Sequence, residues 1–266
     1  MRAMVSPVFT SGKLKLMVPH IDKCGVNIED HLRTAALTGE VLEAREMYGK
    51  FTLDSIATSG FGIESNSYKD PENLFRINAM KLVRFYFDFF RFILTNSFLL
   101  RDPKYATKLD VLKFLILMIS PKMAKLLGIY FLDKDVSHFF MNIVRKTIKN
   151  RRETGAKRND MIDIFIDELD KEREDCFLPG DDLEIGIVAT AILFFFAGFD
   201  TTSTSLGLTV FGLVHHPDVQ DNLRREIEDV IGESEEITAD HLKELKYTEN
   251  VINESMRYYM KLRKNH

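Results

Sequence analysis

Between Ile185 and Val214 the chain carries one charge, Asp200. A run this long and apolar is a helix that is either buried in protein or crosses a bilayer. An acid at mid-span costs about 2.5–3.5 kcal/mol on insertion scales, and the Thr, Ser and Gly residues after it need protein or water partners. The sequence therefore predicts a buried core helix. The competing reading, a membrane span, would make the segment resist carbonate extraction.

The ends of this helix are marked. CFLPGDD turns the chain, and Asp181 fits an N-cap with Glu184 three residues on, an arrangement that satisfies orphan amides and suits the helix dipole. The helix should end by His215 or His216, because Pro217 cannot continue it but can open the next one at its first turn. That next helix, PDVQDNLRREIEDVIG, is polar on one face and stops near Gly232. Thr238 caps a short helix, TADHLKEL, and a last helix runs from about Thr248 through YTENVINESMRYYMK.

Upstream, apolar residues again recur at helical spacing and alternating strands with hairpin signals are scarce, so the fold class is mainly α. A helical region from about Ser11 to Ala36 should break near Pro19 and Cys24–Gly25, since proline inside a helix removes a backbone bond. Phe51 to Phe61 is helical, GIESNSYKDPENL is a loop, and another helix starts at about Glu72. MIDIFIDELDKERED, from Met161, is amphipathic. The middle, Phe85 to Phe140, is rich in Phe and Leu but interrupted by Arg, Asp, Lys or Pro before reaching spanning length. It reads as core, with a surface that dips into a membrane interface as the alternative.

Composition narrows the function classes. The 266 residues, 45% hydrophobic and 29% charged, suffice for one large domain or two small ones. A formal charge of −4 offers no basic field for nucleic acid, and the local run Arg145 to Arg158 (RKTIKNRRETGAKR) reads as a solvated helix end and loop. Cys24 and Cys176 lie far apart, which argues against a disulfide framework and suits a reducing compartment. The opening MRAMVSPVFTSGKLKLMVPHI has neither a continuous apolar core nor a small-residue cleavage site, so it is not expected to act as a signal peptide or anchor. There is no phosphate loop, no Gly-x-Ser-x-Gly elbow and no His-Glu-x-x-His, and Gly60-Phe61-Gly62 lacks the third glycine of a dinucleotide fingerprint. His215 and His216 have no Cys or acid at ligand spacing, so they read as a helix-end pair and no metal ligand is assigned.

What remains is FFFAGFDTTSTS, residues 194–205. Ala197 and Thr201 are four apart on one helical face, with Gly198 beside them. Such a face lets a flat or bulky partner approach the backbone and then meet a hydroxyl, and the threonine can bond back to the carbonyl four residues earlier. Asp200 points about a third of a turn away. It either links a site to solvent or to a basic side chain, or is a buried acid paired with an arginine while the threonines are satisfied by their own helix. The residues alone leave the two readings balanced. On the last helix, Glu254 and Arg257 of ESMR sit at i and i+3, a spacing that by itself is usually a solvated ion pair worth about 0.2–0.5 kcal/mol.

Taken together these elements resemble the cytochrome P450 superfamily of haem-thiolate monooxygenases, in its microsomal, insect-type form. AGFDTT (Ala197 to Thr202) matches the family's Ala/Gly-Gly-x-Asp/Glu-Thr-Thr/Ser pattern on its long central helix. ESMR matches its Glu-x-x-Arg, and HHPDVQDNLRREI and the spacing to YTENVINESMR are also typical. MRAMVSPVFTSGKLK looks like the end of the family's Trp-x-x-x-Arg helix and the segment after it.

The resemblance implies a partial cytochrome P450 domain over residues 1–266, a helical bundle around a long central helix that ends just after Glu-x-x-Arg. It implies a haem cofactor, dioxygen and a small apolar substrate, and electrons from NADPH through a flavoprotein reductase. By the same resemblance Thr201 hydrogen-bonds the activated oxygen and steers its protonation, and Asp200 feeds protons from solvent. Ala197 and Gly198 give the oxygen and macrocycle room, Phe194 walls the substrate pocket, and Arg2 pairs a haem propionate. Glu254 and Arg257 are structural. The implied location is the cytosolic face of the endoplasmic reticulum membrane, with membrane-surface contact. The family's Phe-x-x-Gly-x-x-x-Cys-x-Gly loop, which supplies the thiolate ligand, has no counterpart in this sequence, and neither Cys24 nor Cys176 has its context. The chain is thus expected to be an internal piece of a longer monooxygenase, inactive by itself. The alternative from another class is a non-catalytic helical fragment that binds a membrane surface or protein partner through its Phe-rich middle.

Overall fold

The computed structural model describes residues 10–70, 72–82, 134–167, 180–232 and 236–262, together with Ile116, Ser120, Met123, Leu126, Leu127 and Ser234. Every regular element among them is helical, in keeping with the 3.6-residue periodicity. They form two compact units, residues 1–73 with 144–266 and residues 74–143. Most of the Phe-rich middle lies outside the described residues. Within the smaller unit, Phe75 and Phe140 meet edge to face with centroids 5.6 Å apart, and Ala79, Leu82 and Val136 are buried.

In the larger unit, α1 (Ser11–Thr38) runs without the break expected near Pro19 and Cys24–Gly25. An internal proline costs about 3 kcal/mol. The cost is met here because α1 is anchored beyond the proline, where Cys24 and Ala35 are buried. Gly25 is merely tolerated: open space surrounds the position where its Cβ would be. The helix stops where Gly39 turns left-handed at φ 71° and donates its N–H to the Ala35 carbonyl.

Helix α2 (Ala44–Ile56), which starts earlier than the expected Phe51, continues into a π-helical turn, Ala57–Phe61. Gly62, at φ 68°, ends that turn. The loop beyond is tied back to the helix it left. Asp54, buried, accepts from the Ser65 hydroxyl, from the Ser67 N–H at 2.9 Å and from the Ser67 hydroxyl at 2.5 Å, while Tyr68 donates to the Met47 carbonyl at 2.6 Å. A helix over 74–82 comes next, close to the expected start at Glu72.

Helix α3 (Lys134–Thr154) and a helical stretch over 161–167 flank a loop; the run Arg145 to Arg158 is mostly exposed, as read, with Arg151 the exception among its basic residues. Arg151 is 7% exposed. Its guanidinium donates to Asp160 and, at 2.5 Å, to Asp163, and Asp163 also accepts the Arg158 and Asn159 amides at 2.6 and 2.7 Å. A basic run read by charge alone misses the acids that arrive after the turn. In the stretch from Met161, Met161 to Phe165 are buried, and residues 168–175, the more charged part, lie outside the described residues.

Helix α4 (Gly180–His215) is the axis of the larger unit. Asp181, expected as its cap, already lies within the helix. Val188, Ala191, Ile192, Phe195, Phe199 and Ser203 form a buried stripe at three- and four-residue spacing. Full burial of a side chain such as Phe195 contributes about 1.5–3 kcal/mol. Over Val188–His215 the helix is long and apolar enough to cross a membrane; the stripe is covered by protein, while Leu193, Phe211 and Val214 are more than half exposed. Its main neighbour is α2: the Phe199 ring, stacked on Phe195 of the same helix, lies 3.7 Å from the position of a Cβ on Gly49.

Three helices complete the unit. Pro217 opens α5 (Pro217–Ile231), and Gly232 stops it, both as expected. Thr238 caps α6 (Ala239–Glu244), accepting the His241 N–H. Helix α7 (Lys246–Leu262) begins two residues before Thr248 because Glu226 of α5 caps it. The Glu226 carboxylate accepts the Tyr247 and Thr248 amides at 2.6 and 2.7 Å and the Thr248 hydroxyl at 2.8 Å. Desolvation pushes that carboxyl up, but these donors outweigh it and hold it below the usual carboxylate range.

Candidate functional site on the central helix

The middle of α4 carries a face that the buried stripe does not use. Ala197 and Thr201 are exposed, one turn apart, and Phe194 is half-buried on the preceding turn. The Thr201 hydroxyl donates to the Ala197 carbonyl, Ser205 donates to Thr201 O at 2.7 Å, and Thr209 donates to Ser205 O at 2.9 Å. Thr201, Ser205 and Thr209 thus form one stripe of hydroxyls bonded to their own backbone. Ser203, on the buried side, donates to the Asp200 carbonyl at 3.1 Å.

Asp200 is 28% exposed, and its carboxylate lies 3.5 Å from the guanidinium of Arg45, on the first turn of α2. Both halves of the plainer sequence reading are therefore present: the acid has an arginine and the threonine bonds its own helix. The same side of α4 also carries Leu193, 62% exposed, one turn before Ala197, so what marks Ala197 and Thr201 is their small size and hydroxyl rather than their exposure.

Gly198 has a packing reason that sequence reasoning did not supply. A Cβ there would lie 3.0 Å from Ile56 Cδ1, so the glycine admits α2 to close contact with α4. Alanine gains up to about 1 kcal/mol of helix propensity, and Ile56 is not fully buried, so its chain end can yield. Gly198→Ala is expected to leave stability within about 1 kcal/mol of the parent, whereas Gly198→Val is expected to cost about 1–3 kcal/mol by overpacking. Urea unfolding of both variants checks this, and equal stabilities would remove the packing account.

The other candidates are dispersed. Arg2 lies outside the described residues. Glu254 and Arg257 form a bidentate pair on α7, with Arg257 Nε donating to Glu254 Oε2 at 2.5 Å, and both side chains are more than half exposed. Hydrogen bonding to Glu254, and its charge, raise the guanidinium pKa. Helix α7 meets α4 at Gly212, against Tyr259 and Ser255, further along than Thr201. Cys24 is buried, and its Sγ donates weakly to the His20 carbonyl at 3.4 Å. Burial pushes its thiol up, against the hydrogen bond to Thr58. Sequence reasoning missed Arg45. In AREMYGK it is one of several charges on a half-exposed helix, and nothing local distinguishes it.

Comparison with known proteins gives this geometry a context. The family model described as Cytochrome P450 matches residues 1–264. Curated relatives include "Probable cytochrome P450 6w1" of Drosophila melanogaster, 33% identical over 97% of this chain and 46% of the relative. "Cytochrome P450 6a9" of the same organism is 31% identical over 97% and 48%. "Cytochrome P450 3A12" of Canis lupus familiaris is 32% identical over 97% and 48%. The chain thus spans about half the length of the curated relatives it matches.

Proposed function

The chain belongs to the cytochrome P450 family, and on that premise we propose that it is part of a haem-dependent monooxygenase that acts on small apolar compounds. The family match runs through both compact units, which supports treating residues 1–266 as one partial P450 domain. The observation that carries the reading is the Ala197–Thr201 face, small and then hydroxylic, with Asp200 beside it, on the side of α4 that the buried stripe does not use.

That face fits one side of a flat macrocycle, since an alanine and a hydroxyl one turn apart allow close approach to the backbone and then offer a polar contact. Cys24 does not fit as the sulfur ligand, because it is buried, hydrogen-bonded within α1 and held as a thiol. Haem, when bound, supplies dioxygen activation and transfer of one oxygen atom to the substrate, with electrons from NADPH through a flavoprotein reductase.

The chain's own residues then have these tasks. Ala197 keeps the exposed surface of α4 low, while Gly198 lets α2 pack close behind it. Thr201 Oγ1 donates to Ala197 O, which leaves its lone pairs to hold a water, and rotation away from that carbonyl frees its proton for the site. Asp200, half-buried next to it, exchanges protons with solvent and passes them to that water. Phe194 walls the substrate side. Arg2 pairs a haem propionate, and Glu254 with Arg257, paired on α7, are structural. The protein works at the cytosolic face of the endoplasmic reticulum membrane and touches the membrane surface.

Thr201→Ala in the haem-loaded, full-length protein tests the assignment. The fraction of reducing equivalents lost as hydrogen peroxide is expected to rise severalfold while substrate affinity changes little. Coupling as tight as in the parent would remove Thr201 from the proton path.

A further inference from the structure

Ile56 is the last residue of α2 before the π-helical turn Ala57–Phe61, and it stands between two glycines. Its Cγ2 lies 3.8 Å from where a Cβ on Gly60 would be, and its Cδ1 and Cγ1 lie 3.0 and 3.5 Å from where a Cβ on Gly198 would be. A β-branched side chain in a helix keeps essentially one χ1 rotamer. With Cγ2 on the Gly60 side, the Cγ1–Cδ1 arm is directed at the backbone of α4.

The turn behind Ile56 is itself held, and turns of this kind recur at functional sites. Ser59 Oγ donates to the Ser55 carbonyl at 2.5 Å, Thr58 Oγ1 to the Ile63 carbonyl at 3.1 Å, and the Arg158 guanidinium to the Gly62 carbonyl at 3.2 Å. A Cβ on Gly60 would also lie 3.4 Å from Met161 Cε, so the helical stretch over 161–167 backs the turn. On α4, Gly198 meets Ile56 while its neighbour Phe199 meets Gly49, two turns earlier on α2. Two contacts so spaced limit both the approach and the rotation of α4 at this level. Gly198 lies between Ala197 and Thr201 in the chain, and the Thr201 hydroxyl donates to the Ala197 carbonyl, so a shift of the backbone at Gly198 carries both along. Reacting groups need placement to within about 0.5 Å.

We propose that Ile56 is a positioning residue for the Thr201 face: a stop, braced by the π-helical turn, that sets how close α2 comes to α4 and thereby where the Thr201 hydroxyl stands. The inference rests on the reading above, in which that hydroxyl holds the water that delivers protons. It adds a residue of α2 that acts only through the backbone of α4.

Ile56→Val removes the Cδ1 methyl and leaves the rest of the side chain, and Gly198→Ala adds a methyl next to the space so opened. The test is the cycle of Ile56→Val, Gly198→Ala and the double variant. In the haem-loaded, full-length protein, Ile56→Val is expected to raise the fraction of reducing equivalents released as hydrogen peroxide by about twofold to fivefold. That is the scale for a shift of a few tenths of an ångström, given that about 1 Å of misplacement costs about a hundredfold. Adding Gly198→Ala should bring the fraction back toward the parent value. A second readout needs no haem. In the 266-residue chain, amide hydrogen exchange of residues 197–203 should quicken in Ile56→Val and slow again in the double variant, with the rest of α2 and α4 unchanged. Faster exchange spread over both helices, or a peroxide fraction that Gly198→Ala does not lower, would overturn the positioning role. If Thr201→Ala raises peroxide and Ile56→Val does not, the reading of Thr201 stands and Ile56 alone is rejected. If Thr201→Ala leaves peroxide unchanged, the proton role of Thr201 fails and the role of Ile56 falls with it.

Discussion

Replacing Arg151 by alanine is expected to destabilise the chain by about 3–5 kcal/mol, the range for breaking a buried ion pair by removing one partner. The side chain is 6% exposed and its carboxylate partners, Asp160 and Asp163, are 0% and 8% exposed. Burial alone would push the guanidinium pKa down, but the hydrogen bonds and charges of Asp160 and Asp163 raise it overall, so the group stays charged. Without it, two carboxylates face each other in a region that excludes water. Asp163 keeps the Arg158 and Asn159 amides, which offsets part of the loss. Lysine should recover only part of the stability, since one ammonium cannot replace a fork that engages two acids. Urea unfolding reads both variants. A loss under about 1 kcal/mol for Arg151→Ala would place the group among solvated surface pairs. Gly62 belongs to the same cluster: at φ 68° it tolerates the left-handed turn, and a Cβ there would collide with the Arg151 guanidinium and Asp160.

The second large effect concerns Asp54. Asp54→Ala is expected to cost about 2–4 kcal/mol, because it leaves the buried Ser65 and Ser67 hydroxyls and the Ser67 amide without their acceptor. Asp54→Asn retains one carbonyl oxygen and should cost less. The change also releases the loop over 62–70, so limited proteolysis within that loop should accelerate in parallel with the loss of stability. Faster cleavage without a change in the unfolding midpoint would show that the serines hold the loop but not the core.

These two clusters mark the limit of what one sequence shows. Helix ends governed by a local rule were legible: Pro217 at the first turn, Gly232 at the stop, Thr238 as a cap. Pro19 was misjudged because a local penalty of about 3 kcal/mol was weighed without the burial of Cys24 and Ala35 further along. Arg151 was misjudged for the opposite reason, since its acids lie beyond a turn and pattern reading saw only a basic run. At the candidate site, the stripe from Ala197 through Thr201 and its bonding to the helix were written in the spacing. Two things were not. The pairing of Asp200 depended on Arg45, which lies far away in the chain, and Gly198 looked like room for a ligand when its would-be side chain meets Ile56. Both depend on how α2 crosses α4, which is a tertiary fact.

The tertiary cap on α7 bears on the order in which these contacts form. Glu226 and Tyr247 are 21 residues apart, so the grip of α5 on the start of α7 closes a short loop. The seam between α2 and α4, which carries Gly198 and the Arg45–Asp200 pair, instead joins segments more than 120 residues apart. Closing a longer loop costs more entropy and delays its contacts. The carboxyl-terminal helices therefore have the topology of an early-forming block. The seam that fixes Asp200 has the topology of a late one, so protection of its amides is expected to appear after that of α5 and α7 in pulsed hydrogen exchange.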